Sequence, residues 1–230
     1  MTTFLPRLDI EQLEESTLFF LAASPATDGP LLDLIAKYYL TSDALIEKLL
    51  HHPHLAETTL NYIRLFGPPG ILPISEHLDS SRTAPIPEAE IQQKRVMTIG
   101  QLRTPEKIQL ALKGNREARL LLIKDTDRTV ASAVLQSPKL TEEEVEKIAQ
   151  SRNVSEDVLR IVSRNTAWTK SYSIRDALAS NPKTPLAISL VFLKGLRASD
   201  LNRLSKDKGI PSALRSTAVK MVAIKNLRKA

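Results

Sequence analysis

The chain has 230 residues, of which 42% are hydrophobic, 25% charged and 4% aromatic, with 7 glycines and no cysteine. That composition excludes wholesale disorder, and the lack of thiols excludes disulfides, thiolate nucleophiles, iron–sulfur clusters and cysteine zinc sites. The net charge of +6 conceals an asymmetry: residues 1–90 hold 5 basic against 13 acidic side chains, and residues 91–230 hold 27 against 13.

Few glycines with abundant Leu and Ala favour short packed helices over sheets. Residues 1–7 lack the basic-then-apolar layout of a signal peptide. The apolar run Leu18–Ala23 is too short to cross a bilayer, so no membrane span and a cytoplasmic location are expected. Asp9, with Gln12 three residues on, predicts an N-cap and a helix to about Ala23. Leu31, Leu34, Ile35 and Tyr38 recur at helical spacing, then Leu45, Ile46, Leu49 and Leu50, then Thr59, Leu60 and Ile63. Residues 1–66 therefore read as an acidic region of four short helices.

Gly67-Pro68-Pro69-Gly70 opens a stretch that also holds Pro73, Pro85 and Pro87. Proline removes helix donors and fixes φ, so residues 67–90 read as a proline-rich linker, coincident with the charge switch. Residues 91–230 read as a basic helical-repeat domain. Helix starts are predicted at Thr104, Asn115, Asp127, Thr141, Ser155, Thr169, Thr184, Ser199 and Pro211, each followed by apolar residues three and four apart. Thr141 with Glu144 forms a capping box. Thr184 is placed as a hydroxyl cap ahead of Pro185. Helices this short need neighbours, and a stack of helix pairs, about 28 residues per pair, supplies them. The expected fold is all-α, an α-helical repeat or solenoid with a small helical N-terminal part.

The segment Ala177-Leu178-Ala179-Ser180-Asn181-Pro182-Lys183-Thr184-Pro185 resembles the leucine-rich repeat variant family, whose repeats carry an Asn-Pro-x-Thr-Pro turn before a helix. Weaker echoes lie at Leu135–Thr141, Ser151–Ser155 and Leu50–His54, and the resemblance covers about residues 104–225. It implies a HEAT-like superhelix of short helices, with a spacing here longer than the family's. It transfers no catalytic residue.

His51, His52 and His54 cluster around Pro53, but adjacent positions point apart, and a solvated helix C-terminus accounts for them more simply than a metal site. Glu142–Glu144 and Glu14-Glu15 read as helix-dipole compensation rather than acid–base pairs. Gly67-Pro68-Pro69-Gly70 lacks the consecutive N–H groups of a phosphate cradle, and no nucleophile elbow is present. No catalytic residue, metal site or cofactor is assigned.

The basic body supplies the candidate site. From Arg160 to Lys229 there are 15 Lys and Arg against three Asp. Arg160, Arg164, Arg175, Arg197, Arg203 and Arg215 at equivalent places of successive helices form a stripe for an acidic protein groove or a phosphate backbone. Asn165, Trp168, Lys170 and Tyr172 set the one tryptophan beside Arg175, a knot suited to a binding hot spot, and Lys183 extends the surface. The expected function is a non-enzymatic scaffold that recognises a protein partner, acidic in character. The alternative is nucleic-acid binding, in a layout similar in length and basicity to the helical-repeat DNA glycosylases. A third arrangement has the acidic head contact the basic body within one chain and mask its surface.

Overall fold

Aliphatic periodicity without β-branched alternation builds helices throughout. The computed structural model describes residues 10–68 and 88–227. It holds fifteen α-helices and one 3-10 turn, with no strand among the described residues. No helix among them is long and apolar enough to cross a membrane.

By packing, the chain divides into two units, residues 1–122 and 123–230. The division falls inside the stretch that composition assigns to one basic domain. The expected linker is described only at its ends, since residues 69–87 lie outside the described residues.

The first unit opens with the 3-10 turn Ile10–Gln12, then α1 (Glu15–Ala23), α2 (Gly29–Tyr38), α3 (Asp43–Leu50) and α4 (Glu57–Phe66). The helix expected from Asp9 thus starts later, at Glu15, after a separate turn, and Asp9 itself lies outside the described residues. Next come α5 (Glu88–Gln101), α6 (Thr104–Lys113) and α7 (Arg116–Leu122). Helix α5 begins inside the expected linker. Helix α2 is central and packs on α1, α3, α4 and α6, while α5 packs on α4 and α7.

Gly67 and Gly114 end α4 and α6 with backbone bonds to Ile63 O and Leu110 O. A Cβ at either position would stand 2.4 Å from that carbonyl oxygen, so close approach demands glycine.

The unit encloses a charged centre. Lys37 Nζ lies 2.9 Å from both Asp33 Oδ2 and Glu106 Oε1. Glu106 Oε2 accepts from Arg103 N at 2.8 Å, and Asp33 Oδ1 accepts from Thr59 Oγ1 at 2.9 Å. Burial opposes the Lys37 charge, but the two carboxylates outweigh it and raise its pKa. Burial likewise opposes ionisation of Glu106, yet Lys37 and the Arg103 N–H hold that carboxyl below its ordinary value.

The second unit contains α8 (Arg128–Gln136), α9 (Glu142–Gln150), α10 (Glu156–Arg164), α11 (Thr166–Thr169), α12 (Tyr172–Ser180), α13 (Leu186–Leu193), α14 (Ala198–Lys206) and α15 (Ser212–Leu227). Four of the predicted helix starts are capped by side chains, Asn115 among them, which accepts from Ala118 N at 3.0 Å. Asp127 accepts from Thr129 N, Ser155 from Val158 N, and Thr141 from Glu144 N, with Glu144 reaching back to Thr141 N at 2.8 Å. The start expected at Thr169 differs: that residue ends the single turn α11, and α12 begins at Tyr172.

Thr184 does not cap. Its hydroxyl is buried without a hydrogen-bond partner, and the Pro185 carbonyl receives Ile188 N and Ser189 N instead.

Helix α9 packs on α12, α8 on α10, α12 on α13, and α15 on both α13 and α14. A continuous core links Ala179, Leu193, Leu196, Leu201, Leu204 and Leu214. Side-chain bonds between helices join residues at recurring separations: Arg128 with Asp157 (29 apart), Asn181 with Ser151 (30), Tyr172 with Asp200 (28), Arg203 with Asp176 (27) and Lys225 with Leu196 (29).

Candidate binding site

Helices α12 and α14 start side by side, and Tyr172 joins them. Its hydroxyl donates to Asp200 and accepts from the backbone N–H of Arg197 at 2.9 Å. The Arg197 guanidinium stands 4.5 Å from the Tyr172 ring centroid, and that of Arg175 stands 5.7 Å away. Each cation meets the electron-rich ring face. Burial and the Asp200 carboxylate raise the phenol's pKa, so Tyr172 stays protonated and keeps donating. Sequence reasoning placed Tyr172 and Arg175 together but missed Asp200, whose only sequence signal is its place in the first turn of α14.

Tyr172→Phe removes both bonds and leaves Asp200 and the Arg197 N–H to water. The expected loss is about 1 kcal/mol, read as a lower urea midpoint for the second unit.

Trp168 sits on α11, half-buried, and no ring or cation–π contact links it to Tyr172 or Arg175 among the described residues. The expected knot is therefore centred on Tyr172 rather than on the tryptophan. Asn165 serves as a cap, its side chain accepting from Ala167 N and Trp168 N.

The stripe also divides. Arg203 pairs with Asp176 at 2.7 Å, and Arg160 pairs with Glu156 at 2.5 Å, so neither is an unneutralised cation. Burial and the Asp200 charge raise the Asp176 pKa, while Arg203 pulls against them. Arg164, Lys170, Lys183, Lys194 and Arg197 are exposed, and no ion pair joins them to an acid among the described residues.

Helices α10 and α13 flank a groove of about 310 Å³ lined by Arg160, Ser163 and Arg164 on one side and Ile188, Val191 and Phe192 on the other. A second, polar cavity of about 330 Å³ gathers Glu146, Arg152, Asp176, Arg203 and Asp207. Its acids are engaged: Asp176 with Arg203, Glu146 with Gln150, and Asp207 with the Gly209 N–H.

His51, His52 and His54 are engaged in local contacts. His52 is buried rather than solvated. Its Nδ1 accepts from His54 N, which leaves Nε2 as the protonated nitrogen that donates to Ser24 O at 2.7 Å. His51 Nδ1 contacts Glu47 O. Among the described residues no group of three metal-ligating side chains converges. No protein-family model, no curated protein and no solved structure matches the chain.

Proposed function

We propose that the chain is a non-enzymatic helical-repeat scaffold, cytoplasmic, whose second unit binds a protein partner through a basic surface. The observation that carries the reading is the mixture on that surface. The exposed cations Arg164, Lys170, Lys183 and Arg197 form no ion pair among the described residues, and large apolar side chains, Val191 and Leu186, are exposed in the same unit. Cations alone would suit a phosphate backbone. Exposed aliphatic side chains add nothing to phosphate binding, whereas an apolar patch rimmed by polar residues suits a protein partner. Side-chain hydrogen bonds and ion pairs that join residues 25–32 apart in the second unit support a helix-pair repeat, the architecture implied by the Asn181–Pro185 turn.

The test is affinity capture from extract, with and without nuclease treatment, on the immobilised chain, beside a variant carrying Lys170→Glu, Lys183→Glu and Arg197→Glu. A protein retained by the wild type and lost from the variant is the expected result. Equal retention by both removes the basic surface from the function. Retention that vanishes on nuclease treatment assigns the surface to nucleic acid, with the steep salt dependence of phosphate contacts.

A further inference from the structure

Helix α13 is built inside out. Its sequence, Leu186-Ala187-Ile188-Ser189-Leu190-Val191-Phe192-Leu193, is apolar at every position but one. Yet that one polar residue, Ser189, is 2% exposed, while Val191 is 63% exposed and Leu186 38%. Leu193 shares the buried face with Ser189, and Leu190 and Phe192 are only partly covered by the core. A small residue inward lets α13 sit close to its neighbours and turns its bulk outward. Ser189 and Leu193, four residues apart, share the inward face, so Val191, two residues from each, is left on the opposite side of the helix.

The groove beside it has two chemically distinct walls. Arg160, Ser163 and Arg164 occupy positions i, i+3 and i+4 of α10, one stripe of that helix. Ile188, Val191 and Phe192 occupy i, i+3 and i+4 of α13. The cationic wall is neutralised from within only at Arg160. The acids of the region are turned to other tasks: Asp157 pairs with Arg128, Asp176 with Arg203, and Asp200 with Tyr172. Glu156 alone meets this wall, in an exposed pair with Arg160 that a partner's carboxylate readily replaces. Arg164 faces solvent with no acid against it among the described residues.

We propose that the α10–α13 groove receives an amphipathic helix of an acidic partner protein, apolar side chains against α13 and carboxylates against Arg160 and Arg164. The inference rests on the reading of the second unit as a protein-binding module and names its partner class. A single helix lying in a groove presents residues at i, i+3, i+4 and i+7, the same spacing that each wall offers. An acidic row flanking an apolar row on one helix places both chemistries where the two walls want them.

The experiment uses the full chain and a labelled helical peptide of about 18 residues, leucine at every third or fourth position and glutamate between. Its companions are a lysine-for-glutamate version and a scrambled peptide of equal composition. Fluorescence polarisation should show saturable binding of the glutamate helix, weakened about tenfold or more by lysine or by scrambling. Val191→Asp and Arg164→Glu, both at exposed positions and with their fold checked by circular dichroism, should each weaken it to a similar degree. The Lys170→Glu, Lys183→Glu, Arg197→Glu variant should retain the peptide. If Val191→Asp and Arg164→Glu leave affinity unchanged while that triple variant loses it, the groove is wrong and the broader basic-surface reading stands. Equal affinity for the scrambled peptide, no peptide binding at all, or binding only to phosphatidylserine vesicles or a DNA duplex overturns the groove's assignment. A captured partner lost from the triple variant would still support the broader reading in each of those cases.

Discussion

Lys37→Met should destabilise the first unit by about 3 kcal/mol, among the largest effects expected of any single substitution in it. Methionine matches the length of lysine and keeps its packing, so the loss is electrostatic. The side chain of Lys37 is 15% exposed and that of Glu106 10% exposed, and the ammonium stands 2.9 Å from two carboxylates. Without it, Asp33 and Glu106 remain close together, Glu106 largely out of water, and the exposed Arg103 guanidinium, 3.9 Å from Glu106, offsets little of their charge. The pH dependence separates this cause from a packing defect. In the wild type the folded pKa of Glu106 is depressed, so its contribution is complete above the unfolded value of about 4.3 and is lost as pH falls through the folded value. The folded pKa of Lys37 is raised, so its contribution is complete below about 10.4 and is lost as pH rises past the folded value. The variant should behave oppositely at the acid end. Its stranded carboxylates gain protons on folding, so stability relative to wild type recovers as pH is lowered from 7 towards 4. Urea denaturation of both proteins across that range checks it. A gap that stays constant with pH would place the effect in packing instead.

Local signals were legible in the sequence and distant ones were not. Asp127, Thr141 and Ser155 cap helices through bonds two or three residues away, and such bonds leave a readable pattern. Thr184 carried the same pattern and failed, because burial of its hydroxyl and the Pro185 carbonyl decide that turn. The start of α5 at Glu88 was hidden by the charge switch, although Pro87 just before it is an ordinary helix-start residue. The Lys37–Glu106 pair spans 69 residues, and nothing near either residue announces the other. His52 looked like a solvated helix end because its partner, Ser24 O, lies 28 residues earlier. For the candidate site, Tyr172 and Arg175 were within reach of sequence reasoning, whereas Arg197 was placed in the stripe without its contact to the Tyr172 ring. The exposed face of α13 had no signal at all. A helix apolar on every side has no phase, so periodicity cannot say which face is covered.

Asn181→Ala should cost the second unit about 2–4 kcal/mol, because three hydrogen bonds meet at one buried amide. Asn181 is 4% exposed. Its Nδ2 donates to Ala149 O at 2.7 Å and to Ser151 O at 2.9 Å, and its Oδ1 accepts from Lys183 N at 3.0 Å. The two carbonyls end α9, where the helix ladder leaves them without an intrahelical donor. One side chain therefore closes the end of α9, shapes the Asn181–Thr184 turn and fixes the distance between α9 and α12. Alanine leaves one buried acceptor, one part-buried acceptor and one N–H without their partner. Asn181→Asp is the sharper probe. A carboxylate still accepts from Lys183 N but turns an oxygen towards two carbonyls, replacing attraction with repulsion. The expected order of urea midpoints is wild type, then alanine, then aspartate, with the aspartate variant recovering as pH falls and its carboxyl gains a proton to donate. An alanine variant as stable as wild type would mean that water fully serves those carbonyls. The Asn-Pro-x-Thr-Pro turn would then owe its asparagine to the turn alone rather than to the joint between helices.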